Sequence, residues 1–283
     1  MILREFAVDP RLFNSIINCQ LLLPLFSASE GRVISKYPKK WKKLAIGEAN
    51  KSAKDIEYLK IEEILRRLDD TVLFFRGRPA CEAGLSWSEN VLNEHKRLEF
   101  SGIIGIEDGN EEIICFDHLD ESTGLLAKKR QMQIRRIAKD MASEINLLFL
   151  FGNTFKFIDP HFKPIPRYMK PMVAFLEVIA SRDKKSDSGV GVEYHIGTSG
   201  CAKEEEILEQ NFFNSLKNEV PETINVSLHF HPEEKMHDRW VLSTWAGVQF
   251  GQGLDEGEKP PLVNISLLDE DMRQKHWDEY PGY

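Results

Sequence analysis

The sequence lacks an apolar segment long enough to cross a membrane. The apolar run nearest its start, residues 21–26, is interrupted by Pro24, whereas a membrane-spanning helix needs about 18 or more consecutive apolar residues. The first six residues contain Glu5 and no long apolar core, so they do not have the form of a signal peptide. These absences predict a cytoplasmic protein without a transmembrane segment.

Cysteine is scarce, and its spacing does not suggest a metal cluster. The cysteines are Cys19, Cys81, Cys115 and Cys201. Cysteine-based zinc sites need closely spaced pairs such as C-x-x-C, and none is present. We therefore predict buried reduced thiols, no metal and no cofactor. A phosphate-binding P-loop is excluded as well, because no Lys-Ser/Thr pair follows the glycines at 189, 191 and 197.

The chain also lacks an excess of positive charge. Its 37 basic and 45 acidic residues give a formal net charge of -8, which argues against a protein that coats nucleic acid through its overall charge. Local basic stretches do occur at 32–43, where Tyr37 and Trp41 are interleaved, and at 128–136. Basic residues with aromatic neighbours can follow a phosphate backbone, although a solvated surface is the simpler interpretation of both stretches.

A chain of 283 residues can form one large or two modest domains. Residues 1–120 predict a smaller α+β region. A helical stripe lies within 51–69, since Ile61, Ile64, Leu65 and Leu68 follow the i, i+3, i+4, i+7 pattern. A hairpin is expected between 103–106 and 112–116, around Asp108-Gly109. Residues 1–30 predict only a small arm or strand pair.

Two arginines flank a glycine directly after a short strand candidate at 71–75. Arg76 and Arg78 are followed by Pro79, and this combination marks a strong break in regular structure. The two guanidinium groups can hold an anion or an acid of a partner, but the simpler interpretation is that they are surface or interface charges.

Residues 121–283 predict a second domain. Its first 30 residues have the longest helical pattern of apolar side chains, so a helix is expected over 121–150. Strands at 155–158, 190–197 and 224–230 then alternate with helices at 168–180 and 204–216. This βαβ series predicts an α/β fold with a largely parallel, covered sheet. Ligands of such sheets gather beyond the carboxyl ends of the strands, where Asp159 and Thr198 are placed.

The stretch from Met236 to Asp255 carries the strongest chemical signal. Two short strands, 240–242 and 248–250, follow His237 and Arg239, which are two residues apart and would share one face of a strand. A guanidinium grips phosphate oxygens in a bidentate manner, and an imidazole can act as nucleophile, general base or donor. Gly251 and Gly253 would allow close approach of a ligand to the backbone. The spacing predicts a phosphate site.

Other histidines are weaker candidates. His161 follows the first strand of the βαβ series and either lines the same site or is a surface residue. His229 and His231 are expected on one strand face, where such a pair can bind a metal. The simpler interpretation, which we adopt, is a strand edge near the phosphate site.

The pattern resembles the phospholipase D-like superfamily, whose motif is His-x-Lys, four residues, Asp, six residues, then Gly-Ser-x-Asn. Here His237 and Gly251 match, Arg239 replaces the lysine and Thr244 replaces the acid. The chain is more similar to a divergent branch, the C-terminal domain of MIT-domain cytokinesis proteins and bacterial proteins like it. That branch has His-Asp-Arg, Gly-x-Gly-Leu-Asp and an upstream Asp-Pro-aromatic strand end, matched at 237–239, 251–255 and 159–162.

The resemblance covers residues 145–270 and implies a mechanism. Active members pair two histidines: one attacks phosphorus and forms a phosphohistidine, and the other protonates the leaving oxygen. A single motif therefore implies a homodimer that brings His237 of each copy together. With Thr244 at the acid position, Asp159 or Asp255 would have to support the imidazolium. The MIT-domain relatives imply the alternative, a non-catalytic phospholipid-binding domain.

These observations predict a phosphodiester-recognising module that acts on nucleic acid, with His237, Arg239 and Asp255 as candidate catalytic residues. The candidate substrate-binding residues are Asp159, His161, Thr198, Gly251 and Gly253. Similar bacterial proteins imply a role in a multi-protein antiviral defence system. Whether the module is a nuclease stays open, and so do two alternatives. One is a non-catalytic scaffold whose residues 1–120 dock a larger partner such as an ATPase; the other is a phospholipid headgroup binder.

Overall fold

A computed structural model describes residues 1–69, 71–106, 110–119, 124, 126–127, 129–182, 189–217, 219–220, 223–257, 259 and 261–282. The chain divides into two compact units. The amino-terminal unit is Leu3–Lys129, and the carboxy-terminal unit is Met1–Ile2 with Arg130–Tyr283. Both consist of helices and strands, and the predicted α/β class is confirmed. Within the described ranges no helix is long and apolar enough to span a bilayer.

The amino-terminal unit contains a sheet whose neighbouring strands all run parallel. Its elements are β1 (Arg4–Val8), α1 (Ile16–Leu22), β2 (Arg32–Ser35), α2 (Trp41–Ser52), α3 (Asp55–Arg67), β3 (Leu73–Phe74), α4 (Trp87–Arg97), β4 (Gly102–Gly105) and β5 (Ile113–Cys115). The strand order is β3-β2-β1-β4-β5. The prediction of a small arm at 1–30 is wrong, because β1 is the fully buried central strand.

The predicted hairpin between 103–106 and 112–116 is also wrong. β4 and β5 pair in parallel, with Ile103 opposite Ile113. The turn residues Asp108 and Gly109, on which the prediction rested, lie outside the described residues. Both strands contribute buried side chains, as parallel strands covered on both faces do.

Arg78 is an internal residue of the amino-terminal unit and not a surface charge. Its side chain is 2% exposed and donates to Glu5 at 2.8 Å and to Glu94 at 2.9 Å. The guanidinium also lies 3.5 Å from the centroid of the Phe100 ring. The expectation of a surface or interface charge is therefore wrong for Arg78, which neutralises two buried acids of its own unit.

The carboxy-terminal unit is built on a seven-stranded mixed sheet. Its elements are β6 (Gln131–Arg135), α5 (Ala138–Glu144), α6 (Asn146–Phe149), β7 (Thr154–Asp159), α7 (Pro166–Ala180), β8 (Val190–Thr198), α8 (Ala202–Leu216), β9 (Ile224–Pro232), β10 (Trp240–Ser243), β11 (Gly247–Phe250), β12 (Leu262–Leu267) and α9 (Glu270–Glu279). The strand order is β6-β12-β11-β10-β7-β8-β9.

The βαβ series is confirmed. β7, β8 and β9 are parallel neighbours, and α7 and α8 are the crossover helices between them. β10, β11 and β12 continue the sheet from the other side of β7 in antiparallel pairs. The predicted hairpin of two short strands after Arg239 is therefore present as β10 and β11.

The long helix expected over 121–150 is wrong. This segment contains β6, which pairs antiparallel with β12, followed by the two short helices α5 and α6. In β6, Ile134 is buried between the exposed residues Gln133 and Arg135, an alternation that suits a strand with one covered face. Lys128, part of the basic stretch, lies outside the described residues.

The two faces of the sheet have different coverings. On one face Phe157 of β7 stacks on Tyr194 of β8, with ring centroids 5.4 Å apart, and on Phe175 of α7 at 5.5 Å. On the other face Trp240 of β10 packs in a buried cluster with Ile158, and Trp277 of α9 lies against it. Helix α9 was not predicted from the sequence, yet it helps to cover this second face.

Candidate functional site

His237 and Arg239 immediately precede β10. The backbone N–H of Phe250 donates to the carbonyl of Arg239 at 2.9 Å, so the extended pairing reaches one residue beyond the strand. Met236 and Trp240 are buried in the same cluster. Because side chains alternate along an extended chain, His237 and Arg239 face away from this cluster. His237 is exposed, and the Arg239 side chain is 21% exposed.

Arg239 lies against Asp159 at the carboxyl end of β7. Its Nε is 3.9 Å from Asp159 Oδ1, which is beyond hydrogen-bond range. Asp159 is 1% exposed and accepts hydrogen bonds from the backbone N–H groups of His161 at 3.0 Å and Leu254 at 3.2 Å. Burial raises the pKa of the Asp159 carboxyl, against the opposing effect of these donors and of Arg239. Asp159 thus joins the end of β7 to the segment after β11.

Asp255 is held by two arginines. One carboxylate oxygen accepts from Arg136 and the other from Arg167, and both contacts are short ion pairs. Arg136 also donates to the carbonyls of Gln252 at 2.7 Å and of Asp255 at 3.1 Å. Asp255 is therefore the anchor of segment 251–257, and each of its two carboxylate oxygens is paired with a guanidinium group.

Gly253 is necessary for this anchor. Its φ of +113° lies in the region that favours glycine, and a Cβ at this position would be 2.6 Å from Asp255 Oδ1. Gly251 has a different role, because its N–H donates to the carbonyl of Asn264 at 2.9 Å and keeps the chain beside β12. The two glycines thus support the shape of the segment.

His161 and Thr198 lie at the carboxyl ends of neighbouring parallel strands, where the sequence placed them. The exposed imidazole of His161 has its Nδ1 3.4 Å from Glu233 Oε1. The Thr198 hydroxyl donates to Glu205 at 2.6 Å and accepts from the N–H of Gly200 at 3.3 Å. Thr198 therefore fixes the entry into α8.

Thr244, which stands where the phospholipase D-like motif has its acid, is far from His237. It is an exposed residue of the turn between β10 and β11. The four residues of β10 lie between the two positions, and a strand advances about 3.3 Å per residue. The separation is therefore more than about 13 Å. No described residue gives the His237 imidazole a hydrogen bond.

A basic surface cavity of about 820 Å³ lies beside the Asp255 anchor. We call it the basic cavity; its lining residues are Arg136, Ile137, Arg167, Lys170, Glu256, Gly257 and Lys259. Lys170 donates to Glu256 at 3.0 Å. The four cations of this lining outnumber the two described acids that pair with them, Asp255 and Glu256, so this wall is positive in a chain of net negative charge. Sequence reasoning did not group these residues, since they come from three separate segments, 136–137, 167–170 and 256–259.

Two buried donors near Asp159 have no acceptor among the described residues. They are Nε of Arg239 and the hydroxyl of Tyr194. Burial raises the pKa of Tyr194 well above its ordinary value, and the charges of Asp159 and Asp255 act in the same direction. Buried donors without partners are rare in native proteins and often mark a bound water, ion or ligand.

A second polar cluster lies on the other face of the sheet. It consists of Glu193 and His195 of β8 with His229 and His231 of β9. Nδ1 of His195 is 2.9 Å from Nε2 of His231, and its Nε2 is 3.3 Å from Glu193 Oε2. Nε2 of His229 is 2.9 Å from the Ser227 hydroxyl. The alternating Glu-x-His of β8 beside His-x-His of β9 was the available sequence signal, but only half of it was recognised.

Burial sets the protonation of this cluster. It lowers the pKa of His195 to about 4 and also lowers the pKa of His229 and of His231. Burial acts to raise the pKa of Glu193, but the hydrogen bond with His195 and the charge of Lys156 outweigh it, so the pKa is lowered overall. The cluster therefore combines neutral imidazoles with one carboxylate near neutral pH.

No family model matches this chain, and no curated protein matches it. Among solved structures the chain is similar to TrmBL2, an archaeal chromatin protein described as showing a novel mode of DNA binding. The identity is 7%, the TM-score is 0.28, and the match covers 54% of each chain, so this chain matches about half of that protein. A likeness at this level carries no argument about fold or function.

Proposed function

We propose that the carboxy-terminal unit is a phosphodiester-binding module, of the phospholipase D-like type, that holds nucleic acid. The observation that carries the proposal is the basic cavity, whose described lining contains Arg136, Arg167, Lys170 and Lys259, against the two paired acids Asp255 and Glu256. Guanidinium and ammonium groups are the usual partners of phosphate oxygens. A cavity lined in this way would attract a phosphate backbone despite the overall charge of -8.

The arrangement of the cations suits binding. Asp255 is 2% exposed and pairs with Arg136, which is 5% exposed, and with Arg167, which is 53% exposed. The carboxylate therefore holds two guanidinium groups in place before a ligand arrives, and this reduces the ordering cost of binding. Arg239 lies against Asp159, which is joined to the same segment, so His237 and Arg239 would extend the site from the cavity.

Binding is better supported than cleavage. A nucleophilic or proton-transferring imidazole needs a partner that fixes its tautomer and stabilises its charged form, and His237 has none among the described residues. Thr244 supplies no carboxylate, and Asp255 is engaged by two arginines. We therefore propose a module that holds a phosphodiester without hydrolysing it.

The double variant Lys170→Gln/Lys259→Gln is expected to bind a labelled single-stranded oligonucleotide about 25-fold more weakly at 0.1 M salt. Each phosphate contact on a single strand releases roughly 0.7 counterion, so two lost contacts give about this factor. Fluorescence anisotropy titration of the full chain measures the affinity. The matched control is Lys203→Gln/Lys275→Gln, which removes the same charge from two exposed lysines outside the cavity. Equal weakening in both variants, or no binding by the wild type, contradicts the proposal.

His237→Ala is expected to leave nuclease activity unchanged. Purified wild type and variant are compared on single- and double-stranded DNA and RNA, with product analysis on denaturing gels. If the proposal holds, neither protein produces cleavage above the background of a mock purification. Cleavage by the wild type that disappears in the variant would instead show that His237 is needed for catalysis and refute the binding-only assignment.

A further inference from the structure

The second polar cluster has the composition and the placement of a metal site. In the parallel pairing of β8 with β9, His195 is opposite His229, and Glu193 is opposite Ser227. Paired residues of parallel strands point to the same face, so Glu193, His195 and His229 converge. Their ligand atoms all lie within 4.8 Å of one another. We propose that Glu193, His195 and His229 bind one Zn²⁺ ion.

The distances are close to those that zinc requires. Zinc–ligand bonds of 2.0–2.2 Å in tetrahedral geometry place neighbouring ligand atoms roughly 3.4 Å apart. The separation of 3.3 Å between Glu193 Oε2 and His195 Nε2 already meets this value. The rings of His195 and His229 are stacked with centroids 4.7 Å apart and an angle of 17° between their planes. Binding therefore requires the His229 ring to tilt towards its neighbour.

His231 provides the supporting contact that metal-bound histidines use. A ligating imidazole usually donates its other N–H to a nearby acceptor, which fixes the tautomer. Nδ1 of His195 lies 2.9 Å from Nε2 of His231, so this N–H can be donated there while Nε2 of His195 keeps its lone pair for the metal. His231 is thus a positioning residue and not a ligand.

Lys156 opposes the ion. Its ammonium is 3.6 Å from Glu193 Oε2 and donates to the carbonyls of Trp277 at 3.0 Å and Tyr280 at 2.5 Å. A cation this close repels a divalent ion. Zinc affinity should therefore be lower than that of the same three ligands without the lysine, and Lys156→Met should increase it.

A bound ion would reinforce the packing of residues 280–282 against the sheet. The Tyr280 ring centroid is 5.5 Å from that of His195 and 5.2 Å from that of His231. Gly282 lies against the Glu193 carboxylate, since a Cβ there would be 2.5 Å from Oε1. Because a ligand that binds only the folded state stabilises it, Zn²⁺ is expected to raise the melting temperature of this unit.

Isothermal titration of the metal-stripped full chain with ZnCl₂ tests the proposal. One ion per chain is expected, with affinity lowered about 10–100-fold in His231→Ala and by more than that in His229→Ala and Glu193→Gln. His118→Ala, which removes an exposed histidine of the amino-terminal unit, should bind as the wild type does. No binding by the wild type, or undiminished binding by His229→Ala, overturns the proposal.

Circular dichroism establishes whether each variant folds, and a second measurement needs no variant. X-ray absorption at the zinc edge of the loaded wild-type protein should show two imidazoles in the first coordination sphere. A first sphere with fewer than two imidazoles overturns the proposal, even where the variants do not fold.

Discussion

Asp255→Asn is expected to lower the free energy of unfolding of the carboxy-terminal unit by about 3–5 kcal/mol. The carboxylate is 2% exposed and pairs with Arg136, whose side chain is 5% exposed. Removing one partner of a buried ion pair leaves an uncompensated charge, and this costs more than the pair contributed. Arg167 adds little to the figure, because its side chain is 53% exposed and solvent screens its charge. Hydrogen exchange of β7 and β12 peptides, measured by mass spectrometry, reports the change.

Glu256→Gln is the matched control for this effect. Glu256 is the neighbouring acid, but it is 24% exposed and pairs with Lys170, which is 64% exposed. Exposed ion pairs contribute about 0–1 kcal/mol, and glutamine keeps an oxygen for the N–H of Ala138. If Asp255→Asn costs no more than Glu256→Gln, the description of Asp255 as the anchor of segment 251–257 is incorrect.

Arg78→Met is expected to destabilise the amino-terminal unit by a similar amount, about 3–5 kcal/mol. The substitution removes the buried cation between the carboxylates of Glu5 and Glu94, which are 2% and 3% exposed, and leaves them only the more exposed Arg76 and Arg97 as partners. It also removes the donor to the carbonyl of Leu98 at 2.6 Å and the contact with the Phe100 ring. Hydrogen exchange in peptides from β1 and β4 measures the loss.

Arg67→Gln provides the comparison within the same unit. Arg67 is 78% exposed, and its partner Glu63, one helical turn away, is 62% exposed. Such pairs contribute a few tenths of a kcal/mol. Arg78→Lys keeps the positive charge, but an ammonium cannot form the same planar fork. Its stability therefore shows how much of the effect depends on the geometry of the guanidinium and how much on its charge. Full stability in Arg78→Met would show that the two acids do not depend on the guanidinium.

The parts of the fold that depend on local pattern could be predicted from the sequence. The alternation of strands and helices from β7 to β9 was visible because each element has its own period. The hairpin of β10 and β11 was also predicted from a local pattern, namely two short strands joined by a tight turn. The parallel arrangement followed, because a helix between two strands favours a crossover connection.

The errors arose where pairing between strands that are far apart in the sequence decides the secondary structure. Met132, Ile134, Ile137 and Met141 fit a helical stripe, but β6 is a strand because β12, about 130 residues later, pairs with it. The hairpin expected around Asp108-Gly109 failed for the same reason, since β4 pairs with β1 and β5 in parallel. A single sequence does not reveal such partners.

The candidate sites show the same limit. His237 and Arg239 were found because they are two residues apart in a recognisable motif. Arg136 and Asp255 were not connected, because they are 119 positions apart, and Arg78 was assigned to the surface because its acids lie elsewhere in the chain. Glu193 and His195 were overlooked because their partner His229 lies on the next strand.

The salt dependence of oligonucleotide binding tests the central claim, that the basic cavity holds a phosphate backbone, most directly. The logarithm of the association constant of the wild type should fall linearly with the logarithm of salt concentration. In Lys170→Gln/Lys259→Gln the slope should be shallower by about 1.4, roughly 0.7 for each lost phosphate contact on a single strand, while Lys203→Gln/Lys275→Gln keeps the wild-type slope. Identical slopes for all three proteins would contradict the account.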